Sequence, residues 1–376
     1  MTINTNLQLL SRMTSDARME LWLEESDLPS LSADEVLIRI EGAPVNPADV
    51  LQLVGPADLS TLRPTGTSDR PRLTAVIPPE RLSAVAGRID QIQATGNEGA
   101  GTVVSAGAHA QHLLGRVVAA RDRMYARFRV AKASECMILP LGSTALQGAA
   151  ASINPLTALG MVETMRREGH HALVHTAAAS NVGQMLNRVC IADGIPLVNI
   201  VRSSAQAEHL KALGAIHVLD STQPGFRQAL EHSIDQTGAT LAFDALGGGS
   251  MAGQILVAME AVQSRRATSW TRYGARRLKQ VYVYGVLDRS PKVIEGNVGT
   301  AWSIGGWLMS WYMESIGSDA AERLRERVGA ELTTTFASHF GSQLSLEQAL
   351  QVESVLSFSR NQTGGKALLV PASGRS

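Results

Sequence analysis

The chain is poor in features that would mark several classes of function. It has two cysteines, Cys136 and Cys190, which excludes a disulfide framework and leaves two reduced, partly buried thiols as the expectation. Aromatic residues make up 4% of the chain and give few clues to a ring-stacking pocket. Charge of either sign is not in excess: 34 Lys and Arg balance 34 Asp and Glu. That balance removes any global electrostatic case for a nucleic-acid or anionic-membrane partner, although a local basic pocket stays open. Long hydrophobic runs are missing as well. The most membrane-like stretch, Trp302 to Ile316, is shorter than the ~20 apolar residues a spanning helix needs and carries Glu314. It reads as a buried or interface helix. The opening residues MTINTNLQLLSRM lack a basic flank before an apolar core, so no secretory signal and a soluble, cytoplasmic protein are expected.

What is present suits a globular enzyme. At 376 residues, with 44% hydrophobic and 18% charged residues, two domains are expected. The first third has β character: Val36, Ile38 and Ile40 alternate with Leu37, Arg39 and Glu41, and short apolar runs at 101–107 and 115–120 are bounded by glycines. Residues 58–95 show no sustained period and read as a surface excursion, helical near Pro79 to Ile89. After Asn154-Pro155 the rhythm becomes strand, turn and helix. Ala172–Thr176, Pro196–Val201, His217–Leu219, Thr240–Phe243 and Val281–Tyr284 read as strands with helices between them. Repeated alternation with apolar strands means a parallel, doubly wound sheet. In the tail, Leu346 to Phe358 suits an amphipathic helix and Lys366 to Pro371 a closing strand.

One turn carries chemistry. The buried strand Ala172–Thr176 runs into the small residues Ala178-Ala179-Ser180-Asn181-Val182-Gly183 and then into a helix. Such a turn offers backbone N–H groups to a pyrophosphate, and small side chains let the phosphates approach. Of the pattern G-x-G-x-x-G only the last glycine is kept, and a tight turn in an α/β fold that binds no nucleotide has the same appearance. The next strand ends at Val201-Arg202, where an enzyme selective for NAD places an acid. Here Arg202, Ser203 and Ser204 stand instead, which suits a 2′-phosphate and favours NADPH.

With these segments the sequence resembles the zinc-free branches of the medium-chain dehydrogenase/reductase superfamily, the quinone oxidoreductases and enoyl thioester reductases. The resemblance rests on Ala43-Pro-Val-Asn-Pro-Ala-Asp49, Gly96-Asn-Glu-Gly-Ala-Gly101, Asn154-Pro-Leu-Thr-Ala158, the turn at 178–183, Leu210-Lys-Ala-Leu-Gly-Ala215, Asp244-Ala-Leu-Gly-Gly248 and Tyr284-Gly285, in that order. It implies an α/β fold: a GroES-like β-rich domain from 1–152, completed by 331–376, and a Rossmann NADPH-binding domain at 153–330. It implies that Asn46 sits beside the nicotinamide or a substrate carbonyl, and Thr157 near the nicotinamide or diphosphate. Ser180, Asn181, Val182 and Gly183 would hold the pyrophosphate, and Arg202 with Ser203 the 2′-phosphate. Tyr284 and Gly285 would lie against the nicotinamide ribose, and Lys366 follows the glycine pair of the closing motif. Plainer readings stand beside these: Asn46-Pro47 as a turn, Tyr284 as strand packing, Lys366 as surface charge.

Metal chemistry is where the sequence departs from alcohol dehydrogenases. Asn46 and Asn97 stand where those relatives place a cysteine and a histidine, and neutral amides are poor zinc ligands. No metal is expected, and the nine histidines read mostly as surface or strand-end residues. Without a metal, hydride must go to a small-molecule substrate that is already electrophilic, a quinone or an α,β-unsaturated carbonyl. The enoyl thioester reductases carry a tyrosine shortly after the Asn-Pro motif; residues 50–57 here have none, and Tyr125 is the substitute candidate for proton donor. The alternatives are a 2-enoyl thioester reductase, or an NADPH-binding sensor or structural protein with little catalysis. The resemblance also implies a homodimer formed through the Rossmann domain, with Trp302–Ile316 at the dimer contact or in the substrate cleft.

Overall fold

A computed structural model of the chain describes residues 5–67, 70–359 and 366–371. The chain divides into two compact units, Met1–Ile153 with Gly329–Ser376, and Asn154–Val328. The first unit begins with strands β1 (Thr5–Met13), β2 (Arg18–Asp27) and β3 (Glu35–Pro44), then helix α1 (Pro47–Val54) and the hairpin β4 (Asp58–Thr67) and β5 (Arg70–Val76). The short helix α2 (Pro79–Leu82) leads to β6 (Gln93–Ala94), β7 (Glu98–Ala106), β8 (Val117–Arg121), β9 (Phe128–Lys132), β10 (Met137–Ile138) and the single turn α3 (Ala145–Gly148).

The second unit alternates. Helix α4 (Asn154–Arg167) precedes β11 (Leu173–His175), α5 (Asn181–Ala192), β12 (Leu197–Val201), α6 (Ser204–Ala212), β13 (His217–Asp220), α7 (Phe226–Thr237), β14 (Leu241–Asp244) and α8 (Met251–Arg266). Strands β15 (Lys279–Val283) and β16 (Trp302–Gly306) follow, then α9 (Met309–Ser315) and α10 (Ser318–Ala330). The chain returns to the first unit with β17 (Ser342–Leu344), α11 (Leu346–Ala349), α12 (Val352–Phe358) and β18 (Ala367–Leu369).

The protein is therefore α/β, with antiparallel sheets in one unit and a parallel sheet in the other. Five strands of the first unit order as β4-β5-β2-β1-β6; seven more form β10-β8-β7-β3-β18-β17, with β9 also on β3. The last described residues thus pair with the first third of the chain, Leu369 against Ala43. The second unit's six strands are all parallel, in the order β13-β12-β11-β14-β15-β16. Every residue of β11, β12 and β14 is buried, which is why these strands read as short unbroken apolar runs. Val174, Val198, Ala242 and Val281 pack with Ile255, Leu256 and Met259 of α8.

Several sequence expectations are corrected. Trp302–Ile316 is not one helix: β16 pairs with β15 from Trp302 opposite Lys279 to Gly306 opposite Val283, and the helix starts only at Met309. Gly305-Gly306 is a poor helix interior, while an edge strand needs only its backbone. Much of residues 58–95 is not an excursion but the β4–β5 hairpin added to β2. β4 is an edge strand with no buried residue, so nothing imposes a two-residue period on it. The helical stretch near Pro79 is α2 followed by a 3-10 segment, Ser83–Arg88. Leu346–Phe358 is two short helices separated by an extended Gln351. Both thiols are free, with Cys190 buried.

The glycine run at 96–101 has a physical cause. A Cβ on Gly101 would stand 1.9 Å from the Arg39 carbonyl oxygen of the neighbouring strand. Backbone cannot give way as a flexible side chain can. Gly101→Ala should therefore cost the first unit about 2–4 kcal/mol, read as a lower denaturant midpoint by circular dichroism; an unchanged midpoint would show that β3 and β7 are free to separate.

Candidate active site

The first unit holds a cluster of buried polar groups at the start of α1. Pro47 fixes the first helical φ and forces Asn46 into an extended conformation, φ −94° and ψ 162°. Asp49 sits at the third helical position, and its carboxylate accepts the backbone N–H of Asn46 at 2.9 Å. The other Asp49 oxygen accepts the N–H of Asn97 at 2.7 Å. Asn46 in turn donates its amide N–H to Glu98 Oε1 at 2.9 Å, and Glu98 Oε2 accepts the backbone N–H of Ile153 at 2.9 Å. Asp49 and Glu98 are completely buried.

Lys366 supplies the balancing charge. Its Nζ is buried and makes no hydrogen bond among the described residues, lying 5.9 Å from the centre of the Phe340 ring. The surface-charge reading of this lysine is thereby corrected: the closing strand carries it inward. Burial lowers its pKa while the charges of Glu98 and Asp49 hold it up. Burial likewise pushes the Asp49 carboxyl up to about 7, against two backbone N–H groups and the Lys366 charge, and raises Glu98. Tyr125 is buried too, and donates its hydroxyl to the Pro44 carbonyl at 3.0 Å. Burial, with the Asp49 and Glu98 charges, raises that hydroxyl well above its ordinary range. The Tyr125 hydroxyl is thereby engaged with backbone of the first unit.

In the second unit the polar residues gather at the carboxyl ends of β11, β14 and β15. The strand order turns back between β11 and β14, and such a switch point is where open parallel sheets bind ligands. Thr176 donates to Asp244 at 2.7 Å, and Asp244 also accepts the N–H groups of Leu246 and Gly247 at 3.0 and 3.1 Å. His175, wholly buried, lies with Nε2 2.8 Å from the Tyr284 hydroxyl, the two rings stacked at 5.7 Å. Burial pushes His175 down to about 3, so it stays neutral, and raises Tyr284 with help from Asp244. Gly285 packs on Ala245, whose carbonyl oxygen would meet an added Cβ at 2.4 Å.

The small-residue turn is built as a strand-to-helix cradle. Ser180 caps α5 by accepting the N–H of Gly183, and Asn181 and Val182 begin the helix. A Cβ on Gly183 would sit 2.2 Å from the Ala178 carbonyl oxygen, so the one glycine retained from the motif is the one the packing requires. Ala177 takes a left-handed φ of 49°, a strained conformation for a residue with a Cβ. Ser203 caps α6. Arg202 is exposed after β12, and among the described residues its guanidinium has no ion pair or hydrogen bond. Thr157 is buried in the first turn of α4.

Residue types alone missed Asp49, Asp244, Thr176 and His175 as site members. Asp49 was accessible as a capping residue three positions after Asn46; the burial of His175 was not. Trp307 faces inward, its ring 5.4 Å from Phe243 and its N–H on Thr164, while Trp311 is 71% exposed. Among the described residues, no three His, Cys, Asp or Glu side chains are grouped to hold a metal ion, and no helix is long and apolar enough to cross a membrane.

Comparison with known proteins fits this geometry. A structure provisionally named an NADPH:quinone reductase, from Mesorhizobium loti, superposes with a TM-score of 0.74 over 99% of this chain and 100% of its own, at 23% identity. The Etr1p complex with NADP and crotonyl-CoA superposes with a TM-score of 0.68 over 97% of this chain and 99% of its own, at 18% identity. The chain has the medium-chain dehydrogenase/reductase fold. By sequence, this member of the fold is 27% identical over 248 residues to the mitochondrial enoyl-[acyl-carrier-protein] reductase 1 of Candida tropicalis, covering 61% of each chain. It is 28% identical over 217 residues to the corresponding enzyme of Caenorhabditis elegans, covering 53% of this chain and 55% of that one. The alignments thus span less than two thirds of these curated relatives' length. No family model matches the sequence.

The raised Asp49 pKa gives a stability signature. The folded chain holds this proton more tightly than the unfolded one, so the contribution of Asp49 is full below its ordinary value of 3.8 and is lost as pH rises towards 7. The stability gap between wild type and Asp49→Asn should narrow over that window in urea titrations at fixed pH. A gap independent of pH would mean that Asp49 ionises normally in the fold.

Proposed function

We propose that the protein is an NADPH-dependent, zinc-independent reductase acting on quinones or α,β-unsaturated carbonyls. The observation that carries this reading is the carboxyl edge of the parallel sheet: a cradle closed by Gly183 against Ala178, with an unpaired Arg202 and no acid at the end of the next strand. The residues fit the cofactor. In this reading the turn Ser180 to Gly183 takes the pyrophosphate, Arg202 and Ser203 the 2′-phosphate, and Tyr284-Gly285 the nicotinamide ribose, with Thr157 and Lys366 toward the nicotinamide and phosphates. Bound NADPH supplies a hydride to an acceptor that is already electrophilic.

The chain's own contribution is placement and polarity. Glu98 fixes the plane of the Asn46 amide, which in this reading faces the nicotinamide or the substrate carbonyl. Because that amide N–H already serves a carboxylate, the donor set at Asn46 and Asn97 favours chemistry without zinc. Solvent water is then the proton source, since Tyr125 is occupied by Pro44.

A second reading, 2-enoyl thioester reduction, is favoured by the curated relatives, which are named as enoyl-[acyl-carrier-protein] reductases. The absence of any tyrosine from residues 50–57 weighs against it. Assaying NADPH oxidation with quinones, enals and enoyl thioesters separates the two. Turnover of quinones or enals above thioesters is expected, the reverse order favours the second reading, and binding without turnover would leave only a cofactor-binding protein.

Cofactor choice rests on Arg202. Arg202→Ala should weaken NADPH binding by about 1.5–3 kcal/mol and leave NADH nearly untouched. Equal losses for both nucleotides would reduce the arginine to a surface residue.

We further propose that the active form is a homodimer joined through β16 and α9. Trp311, Leu308 and Trp302 are exposed there, at 71%, 46% and 36%, and β16 is the sheet's edge strand. Trp311→Glu should sediment as a folded monomer where the wild type sediments as a dimer. A variant that remains dimeric would move the contact elsewhere.

A further inference from the structure

A second polar site lies at the other end of the parallel sheet. Residues 264–279, from the last turn of α8 to the first residue of β15, contain six basic residues and no acidic one, in a chain whose charges balance overall. Two of the six, Arg265 and Arg266, are neutralised by Glu231 and Asp235, both at 2.7 Å. Arg272, Arg276 and Arg277 are exposed, and among the described residues their guanidinium groups make no ion pair or hydrogen bond. The Arg272 guanidinium lies over the Tyr273 ring, 5.8 Å from its centre.

These arginines line an open pocket of about 880 Å³, together with Gln263, Trp270 and Tyr273. The two rings are turned to solvent, Trp270 at 88% and Tyr273 at 62% exposure. In the pocket wall, both polar atoms of the Gln263 amide are buried without a hydrogen-bond partner. An unpaired amide in the wall of a cavity is a group that a bound ligand satisfies.

The loop is also held in one shape, as a binding loop requires. Lys279 and Glu260 form a wholly buried ion pair, 2.6 Å apart, at its base. The same carboxylate accepts the N–H of Ala275 and the hydroxyl of Ser264. Gly274 and Gly299 let the chain close over it, since a Cβ on either would lie 2.5 or 2.6 Å from Glu260 oxygens. Thr300 clamps the Tyr273 carbonyl with its N–H and hydroxyl at 3.0 and 2.9 Å.

Because the loop follows a helix and precedes a strand of a parallel sheet, it lies at the amino ends of the strands. The cradle at 178–183 follows the carboxyl end of β11. The two sites are therefore at opposite edges of the sheet.

We propose that this pocket binds a nucleoside diphosphate or a ligand that carries one. Three unpaired guanidinium groups suit phosphate oxygens, which they engage in bidentate pairs. Trp270 and Tyr273 offer faces on which a planar base stacks, and the Gln263 amide offers a donor and an acceptor to its edge.

The test is calorimetric titration of the full chain with ADP after one equivalent of NADP has filled the opposite edge, none being left in excess, since NADP carries an adenosine diphosphate group of its own and would compete for the pocket. Wild type should bind one ADP. The double variant Arg276→Ala/Arg277→Ala should bind at least tenfold more weakly, and Trp270→Leu should bind ADP several-fold more weakly while binding inorganic pyrophosphate as wild type does. All three substitutions are at exposed positions, so unchanged melting temperatures are expected. Absence of ADP binding at millimolar concentration, or equal affinity in wild type and the double variant, overturns the proposal. Pyrophosphate binding as tightly as ADP would overturn the nucleoside part of it.

Discussion

A single buried carboxylate organises the first unit. Glu98 receives the side-chain N–H of Asn46, the backbone N–H of Ile153 and, more distantly, the hydroxyl of Ser152 at 3.4 Å. It thereby ties the start of α1, the start of β7 and the last residues before Asn154 to one point. An unpaired carboxylate at that depth would be strongly unfavourable. The neighbouring Asp49 and the inward-turned Lys366 form the rest of the cluster, and Lys366 is brought there by a strand from the far end of the chain. The cluster thus requires β18 to be paired with β3, and the position of the Asn46 amide requires the cluster.

The parallel unit was the more legible part of the sequence. Its strands β11, β12 and β14 are buried on both faces, so each appears as a short apolar run followed by a turn, with Gly183 and Arg202 falling after β11 and β12. The edges were less legible. β4 and β16 pair through their backbones and have no buried face to impose a pattern, and the Gly305-Gly306 pair was the local sign that Trp302–Ile316 divides. The burial of His175 and of the Lys366 ammonium was hidden for a different reason. Their burial depends on partners distant in sequence, Tyr284 for one and the Asp49–Glu98 pair for the other, and no local period encodes that. The basic loop at 264–279 escaped notice because a zero net charge concealed it.

The two polar centres described for the proposed reaction lie in different units and do different work. In the second unit, backbone N–H groups, an exposed arginine and the neutral His175–Tyr284 pair suit recognition of a large anionic nucleotide. In the first, charge is buried and compensated, and what is held in place is a neutral amide. That division matches a reaction in which the cofactor carries the chemistry and the protein orients and polarises.

The most direct measurement follows the hydrogen itself. NADPH deuterated at C4 would be incubated with the protein and an enal, and the product examined by NMR and mass spectrometry. Label from one face of the nicotinamide is expected at the β-carbon of the saturated product, with a proton from water at the α-carbon. Consumption of NADPH with no deuterium in the product, or none consumed with any electrophilic acceptor, would contradict the assignment of this chain as a reductase.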